Sequence, residues 1–148
     1  MNEITVREVS PRDNEGINQI RNLITEEGWH DLTRPYSFED LDSYALNEDA
    51  NFFVAVTMEI VIGYIEMSFY KQSSGIIQLF VHPKFRNQGV GKELLKRLIS
   101  TVQHRGKHSE IYLQVKQGNR AINMYEREGF VHSAQVNNGI EMVYRIAR

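Results

Sequence analysis

The stretch that most constrains this chain is a strand-length apolar run that passes through a short glycine loop into a long amphipathic helix. Residues 76–81 (Ile-Ile-Gln-Leu-Phe-Val) read as a β-strand, and Pro83 stops it by holding the residue before it extended. From Gly89 to about Arg105, the residues Val90, Leu94, Leu95, Leu98, Ile99 and Val102 recur at helical spacing on one face. Gly106 then stands where a helix C′ glycine belongs. A helix with such an apolar stripe has to bury it, so the segment requires a sheet with helices packed against it.

The rest of the chain supplies that sheet. Ile4, Val6 and Val9 suggest a first strand, and Ile17, Ile20, Leu23 and Ile24 mark a helix over about Gly16 to Glu27. Ser37 followed by Asp40 is an N-cap with an acidic first turn, opening a helix that runs to about Asn47. Phe52 to Val56 and Val61 to Tyr70 read as a hairpin joined by about four residues around Met58 and Glu59. Ile111 to Val115 is a further strand, and Ala121 to Glu128 a helix that Gly129 stops. The chain closes with a hairpin, Val131 to Gln135 and Ile140 to Ile146, turned at Asn137-Asn138-Gly139. The order β-α-α-β-β-β-α-β-α-β-β gives an α/β (α+β) fold with a mixed antiparallel and parallel sheet flanked by helices. No repeat or linker interrupts the 148 residues, so a single domain over 1–148 is expected.

Composition narrows the function classes. A formal charge of −2 and a pI near 6.2 argue against general nucleic-acid binding. No apolar stretch reaches the roughly 18 residues of a membrane span, and Met1 to Ser10 lacks a signal-peptide core, so no membrane role and a cytoplasmic location are expected. The absence of cysteine excludes disulfides, thiolate metal sites and a cysteine nucleophile. His30, His82, His104, His108 and His132 show no metal-ligand spacing, so no metal is assigned. Positive charge gathers between residues 84 and 116, at Lys84, Arg86, Lys92, Lys96, Arg97, Arg105, Lys107 and Lys116, opposed there only by Glu93 and Glu110. That segment is either a solvated face or a surface for a small polyanion.

The glycine loop, Arg86-Asn87-Gln88-Gly89-Val90-Gly91-Lys92, is compatible with either reading. The first turn of a helix leaves backbone N–H groups unpaired at the positive end of the macrodipole. Glycines at 89 and 91 remove Cβ atoms and let a pyrophosphate approach the amides of Gln88 to Lys92. Glycines there also serve tight turns and helix–sheet packing. The loop is not a dinucleotide fingerprint, which would need glycine at Leu94, nor a Walker A loop, since Glu93 follows Lys92.

The strand ending Val81-His82-Pro83, the Arg86-x-x-Gly89-x-Gly91 loop and the apolar helix resemble motif A of the GCN5-related N-acetyltransferase (GNAT) superfamily. Ala121-Ile122-Asn123-Met124-Tyr125-Glu126-Arg127-Glu128-Gly129-Phe130 resembles the same family's Ala-Ile-x-x-Tyr-x-x-x-Gly-Phe signature. The resemblance implies acetyl-CoA as cosubstrate. Its pantetheine arm would lie along Leu79, Phe80 and Val81, where two parallel strands splay apart, here residues 76–81 and 111–115. Its pyrophosphate would lie on the amides from Arg86 through Asn87, Gln88, Gly89, Val90 and Gly91 to Lys92. Tyr125 matches the tyrosine that protonates the leaving CoA thiolate. Asn119 is expected to touch CoA, one residue later than the family's asparagine, whose place Gly118 takes. Family glutamates that serve as base elsewhere are replaced here by Gln114 and Gly75. Glu66 is then the candidate base, set on one strand face with Tyr64 and Ser68; a solvated strand residue is the alternative. Trp29, His30, Tyr36 and Phe38 gather where the family builds its acceptor pocket. The expected activity is acetyl transfer to a small-molecule primary amine. A peptide acceptor or a non-catalytic CoA-binding sensor would use the same fold, and a homodimer is consistent with the resemblance.

Overall fold

The computed structural model describes residues 3–28, 30, 32, 34–47 and 49–146. Its elements follow the expected order: β1 (Thr5–Glu8), α1 (Asn14–Glu26), α2 (Phe38–Leu46), β2 (Asn51–Thr57), β3 (Ile60–Phe69), β4 (Ser74–Val81), α3 (Val90–Arg105), β5 (Glu110–Lys116), α4 (Ala121–Arg127), β6 (Val131–Val136) and β7 (Gly139–Arg145). Short 3-10 turns at Pro11–Asp13 and Pro83–Phe85 precede α1 and α3. The seven strands hydrogen-bond in the order β1-β2-β3-β4-β5-β7-β6, so the last hairpin enters with its second strand innermost. No described helix is long and apolar enough to cross a membrane.

Boundary differences from the sequence expectation that bear on the sheet fall at the β2–β3 link and at the start of β4. The β2–β3 link is two residues rather than four, because Met58 and Glu59 both take positive φ (49° and 65°), the pair that a tight hairpin turn demands. β4 begins at Ser74 rather than Ile76. Gly75 fits there because a Cβ at that position would lie 2.5 Å from Met67 Cγ.

Backbone packing divides the chain into two compact units, Met1–Glu66 with Leu79–Leu98, and Met67–Gln78 with Ile99–Arg148. The first unit holds a core of Ile17, Ile20 and Ile24 from α1 and Leu41 from α2, set against Phe52, Val54, Tyr64 and Phe80. Ser37 caps α2 as expected: its hydroxyl accepts the Asp40 N–H at 3.0 Å, and the Asp40 carboxylate accepts the Ser37 N–H at 2.9 Å. Only Leu41 of that helix is buried, while Phe38 and Leu46 are exposed. Leu94, Leu95 and Leu98 of α3 are fully buried, and each such side chain contributes roughly 2 kcal/mol. Gly63 sets the start of that helix, since a Cβ there would lie 3.1 Å from Leu94 Cδ1 and 3.2 Å from both the Phe80 carbonyl and Val90 Cγ1.

In the second unit β5 is the hub. It pairs in parallel with β4 from Ser74↔Glu110 to Ile76↔Tyr112, and antiparallel with β7 from Glu110↔Arg145 to Lys116↔Gly139. Ile111, Leu113 and Val115 alternate into the core with Met142, Tyr125 and Phe130. β6 is an edge strand, paired with β7 alone and broken in register between His132 and Ala134.

Candidate functional site

The glycine loop lies wholly in the first unit. β4 ends at Val81, and the His82 N–H donates to the Ile62 carbonyl at 2.8 Å, which ties the strand end to β3. The His82 ring then accepts the Lys84 N–H at 3.1 Å and closes the turn at Pro83–Phe85. Arg86, Asn87, Gln88 and Gly89 are exposed, with Asn87 at φ 64° and Gly89 at φ 82°. Left-handed backbone at two of three consecutive residues curls the chain into α3, and glycine adopts it without a steric penalty. The first intrahelical bond runs from the Glu93 N–H to the Gly89 carbonyl at 3.1 Å. The N–H groups of Val90, Gly91 and Lys92 therefore precede any helical acceptor. A Cβ at Gly89 would meet no atom within 4 Å, so the space beside the helix start is open. Open space, unpaired amides and the exposed Lys84 and Lys92 suit a polyanion.

Arg86 points to a partner the sequence did not suggest. Its guanidinium grips Glu27 at the end of α1 in a bidentate pair, Nη2 to Oε1 at 2.6 Å and Nη1 to Oε2 at 2.7 Å. The Arg86 hydrogen bonds hold the Glu27 carboxyl below its usual range. The side chains are 39% and 46% exposed, so the pair is screened and contributes at most about 1 kcal/mol.

The same unit contains a cavity of about 390 Å³ lined by Arg21, Arg34, Pro35, Tyr36, Asp40, Ser43 and Tyr44. The buried Arg21 guanidinium stacks on the Tyr36 ring at 4.6 Å, donating to the Tyr64 hydroxyl at 3.0 Å and the Arg34 carbonyl at 3.2 Å. Glu66 is buried rather than solvated, at 3% exposure, and the Tyr44 hydroxyl donates to its Oε1 at 3.3 Å. Burial first, and the Glu66 charge second, push the Tyr36 and Tyr44 phenols up. These phenols are neutral donors at any physiological pH. His30 packs edge-on against Phe80 at 4.8 Å, and burial lowers its pKa. Phe38 is half exposed and does not line the cavity, and Trp29 lies outside the described residues.

Tyr125 and Asn119 belong to the second unit. The Tyr125 residue is buried, edge-on to Phe130 at 5.8 Å, and burial raises its pKa, so it carries its proton throughout the physiological range. Among the described residues none hydrogen-bonds its hydroxyl. Asn119 lies two residues before α4, its Oδ1 accepting the Ala121 N–H at 2.8 Å, which leaves the side-chain NH₂ for a ligand. Gln114 faces Glu141 across the β5–β7 ladder, and Glu141 is a buried carboxylate that receives the Tyr70 hydroxyl at 2.6 Å. Sequence inspection missed Glu141. The signal was the alternation Gly139, Glu141, Val143 in the final strand, readable only once its register against β5 is known.

Residues 14–130 match the sequence profile of the acetyltransferase (GNAT) family. The fold matches the PaiA N-acetyltransferase of Thermoplasma acidophilum solved with coenzyme A, at TM-score 0.80 and 21% identity, over 97% of this chain and 99% of that one. It matches Ard1 of Thermoplasma volcanium at TM-score 0.76 and 26% identity, over 98% and 99%. A GNAT-family acetyltransferase of Streptococcus pneumoniae superposes at TM-score 0.84 and 20% identity, over 98% and 100%. The chain belongs to the GNAT family and is an N-acetyltransferase, as its two sequence signatures implied.

Proposed function

We propose that this enzyme moves an acetyl group from acetyl-CoA to the primary amine of a small molecule, by direct attack in a ternary complex. The observation that carries this reading is the exposed loop at Arg86–Gly89 opening into the amides of Val90, Gly91 and Lys92. In this reading those amides hold the pyrophosphate, the main chain of Leu79, Phe80 and Val81 receives the pantetheine arm, and the Asn119 amide adds a contact. A strand amide at Phe80 or Val81 polarises the thioester carbonyl, as backbone donors do in oxyanion holes. Tyr125 supplies the proton that the departing thiolate needs. A proton leaving the amine reaches Glu66 through the Tyr44 hydroxyl, because Tyr44 covers that carboxylate. The polar cavity beside Tyr44 is at the small end of ligand-site volumes, about 300–1,000 Å³, which favours a small acceptor over a folded protein surface.

The first test is calorimetric titration with acetyl-CoA, using NAD and ATP as controls, followed by thiol release on adding a panel of amines and peptides. Because the protein has no cysteine, a thiol reagent reads CoA alone. Selective binding with amine-dependent thiol release is expected. Binding without release on any acceptor would make the chain a CoA-binding module, and no binding by folded protein would overturn the site.

The Glu27–Arg86 pair gives a second prediction. Glu27→Gln frees the guanidinium and removes a negative charge near the proposed phosphate site. Acetyl-CoA should then bind about three- to tenfold tighter, consistent with the about 1 kcal/mol of an exposed pair. A weaker Kd would show that the pair instead holds the loop in its binding shape.

A further inference from the structure

The cavity beside α2 has a charge pattern of its own, built wholly within the first unit. Arg21, only 8% exposed, lines it together with Arg34, Tyr36, Asp40 and Tyr44. Asn18, Arg21 and Thr25 recur at helical spacing on one face of α1, and each holds the backbone of the segment that follows the helix. The Asn18 amide donates to the Tyr36 carbonyl at 2.8 Å and accepts the Tyr36 N–H at 2.9 Å. Arg21 Nη2 donates to the Arg34 carbonyl at 3.2 Å, and Thr25 Oγ1 accepts the Leu32 N–H at 3.0 Å. The wall that bears Arg34 and Tyr36 is therefore pinned before any ligand arrives. The Arg21 guanidinium is fixed in turn, between the Tyr64 hydroxyl at 3.0 Å and the Tyr36 ring at 4.6 Å.

Among the described lining residues two arginines stand against one acid, Asp40. That acid is engaged at the start of α2, where its carboxylate accepts the Ser37 N–H at 2.9 Å. Tyr36 adds a neutral O–H donor that bonds no described residue, on the same ring that the Arg21 guanidinium covers. A planar guanidinium beside a phenol matches the two oxygens of a carboxylate. The opposite charge stands one ring away. Tyr44, its ring centroid 6.4 Å from that of Tyr36, donates to the buried Glu66 carboxylate at 3.3 Å. A simple amine or a diamine brings nothing for the arginines, and its second ammonium is repelled by them. A molecule with a carboxylate at one end and an amine at the other satisfies both poles.

We infer that the wall of Arg21, Arg34 and Tyr36 receives a carboxylate, so that the acceptor is an amine that carries one, an amino acid in the broad sense. This deepens the acetyl-transfer reading and rests on it for the fate of the amine. The binding of the carboxylate does not depend on that reading and can be measured alone.

Calorimetric titration of the full chain at low salt, without acetyl-CoA, tests this with glycine, β-alanine and γ-aminobutyrate, the matching amide of each, and putrescine. At least one amino acid is expected to bind, about tenfold or more tighter than its amide, with putrescine weakest. The ratio of amino-acid to amide affinity is the readout, since a merely structural disturbance weakens both ligands alike. Arg34→Gln removes an exposed charge and keeps the carbonyl that Arg21 holds, and Tyr36→Phe keeps the ring under the guanidinium. Each should cut the ratio about threefold or more. Arg21→Lys retains the charge without the planar fork and should remove most of the preference; if it does not fold, the other two variants decide. Binding by none of the amino acids, an amide that binds as tightly as its amino acid, or a ratio untouched by both Arg34→Gln and Tyr36→Phe would overturn the inference. A separate titration with acetyl-CoA divides the two readings. Arginine-dependent amino-acid binding without acetyl-CoA binding would sink acetyl transfer and leave the carboxylate site standing.

Discussion

Gly89→Val should abolish saturable acetyl-CoA binding, raising Kd by a factor of about 100 or more, in a protein that still folds. Gly89 takes φ 82°, a region that a β-branched residue enters only with strain, on the order of 1–3 kcal/mol. Relieving that strain rotates the peptide planes at the helix start and turns the N–H groups of Val90, Gly91 and Lys92 away from a common point. Added side-chain atoms would also fill the open space that a phosphate needs, since a Cβ there meets no protein atom within 4 Å. For the same reason the substitution disturbs no packing, and melting should fall by only a few degrees. Gly89→Asn separates the two effects. Asparagine tolerates the left-handed region, so it retains the backbone and adds only bulk. If valine abolishes binding and asparagine weakens it modestly, the conformation is what matters. Unchanged affinity in both, measured by calorimetry on folded protein, would remove the pyrophosphate from this helix start.

That loop was legible because everything it needs is local. A strand stopped by Pro83, glycines at 89 and 91, and a 3.6-residue apolar period are features of consecutive residues, and the structure keeps each. The capping pair Ser37 and Asp40 was legible for the same reason. What escaped depends on partners distant in sequence. Glu66 alternates with Tyr64 and Ser68 in a pattern that fits a solvated face, and only Tyr44 of α2, folded over it, explains its 3% exposure. Arg86 looked free for a phosphate until Glu27, at the end of another helix, was placed beside it. The position of Gln114 suggested an absent carboxylate. Strand β7 inserts between β5 and β6 and brings Glu141 opposite Gln114. A hairpin's own turn cannot specify which of its strands faces inward, so no local reading could have found that pair.

Tyr125→Phe should lower kcat by about 10²- to 10³-fold, the usual contribution of a positioned acid, while acetyl-CoA affinity changes no more than about threefold. The structure separates the two quantities. Tyr125's ring packs against Phe130, and phenylalanine fills the same volume, so the α4 contact survives. Its hydroxyl has no hydrogen-bond partner among the described residues, so its loss strands no buried group. What disappears is a proton donor. Burial drives the phenol's pKa up, which keeps it protonated and also makes it a poor acid on its own. In the proposed role the transfer would become favourable only as negative charge builds on the leaving sulfur, and the hydroxyl would act late along the reaction. This gives a sharper readout than rate alone. Poorer leaving groups should depend more on Tyr125, so a thioester whose thiol is more acidic than CoA should lose less activity in Tyr125→Phe. With the phenol protonated across the working range, the pH–rate profile below about pH 9 should keep its shape in the variant. Turnover unchanged within twofold would remove Tyr125 from the chemistry. Turnover and acetyl-CoA affinity falling together would show that its place is structural, in the packing of α4.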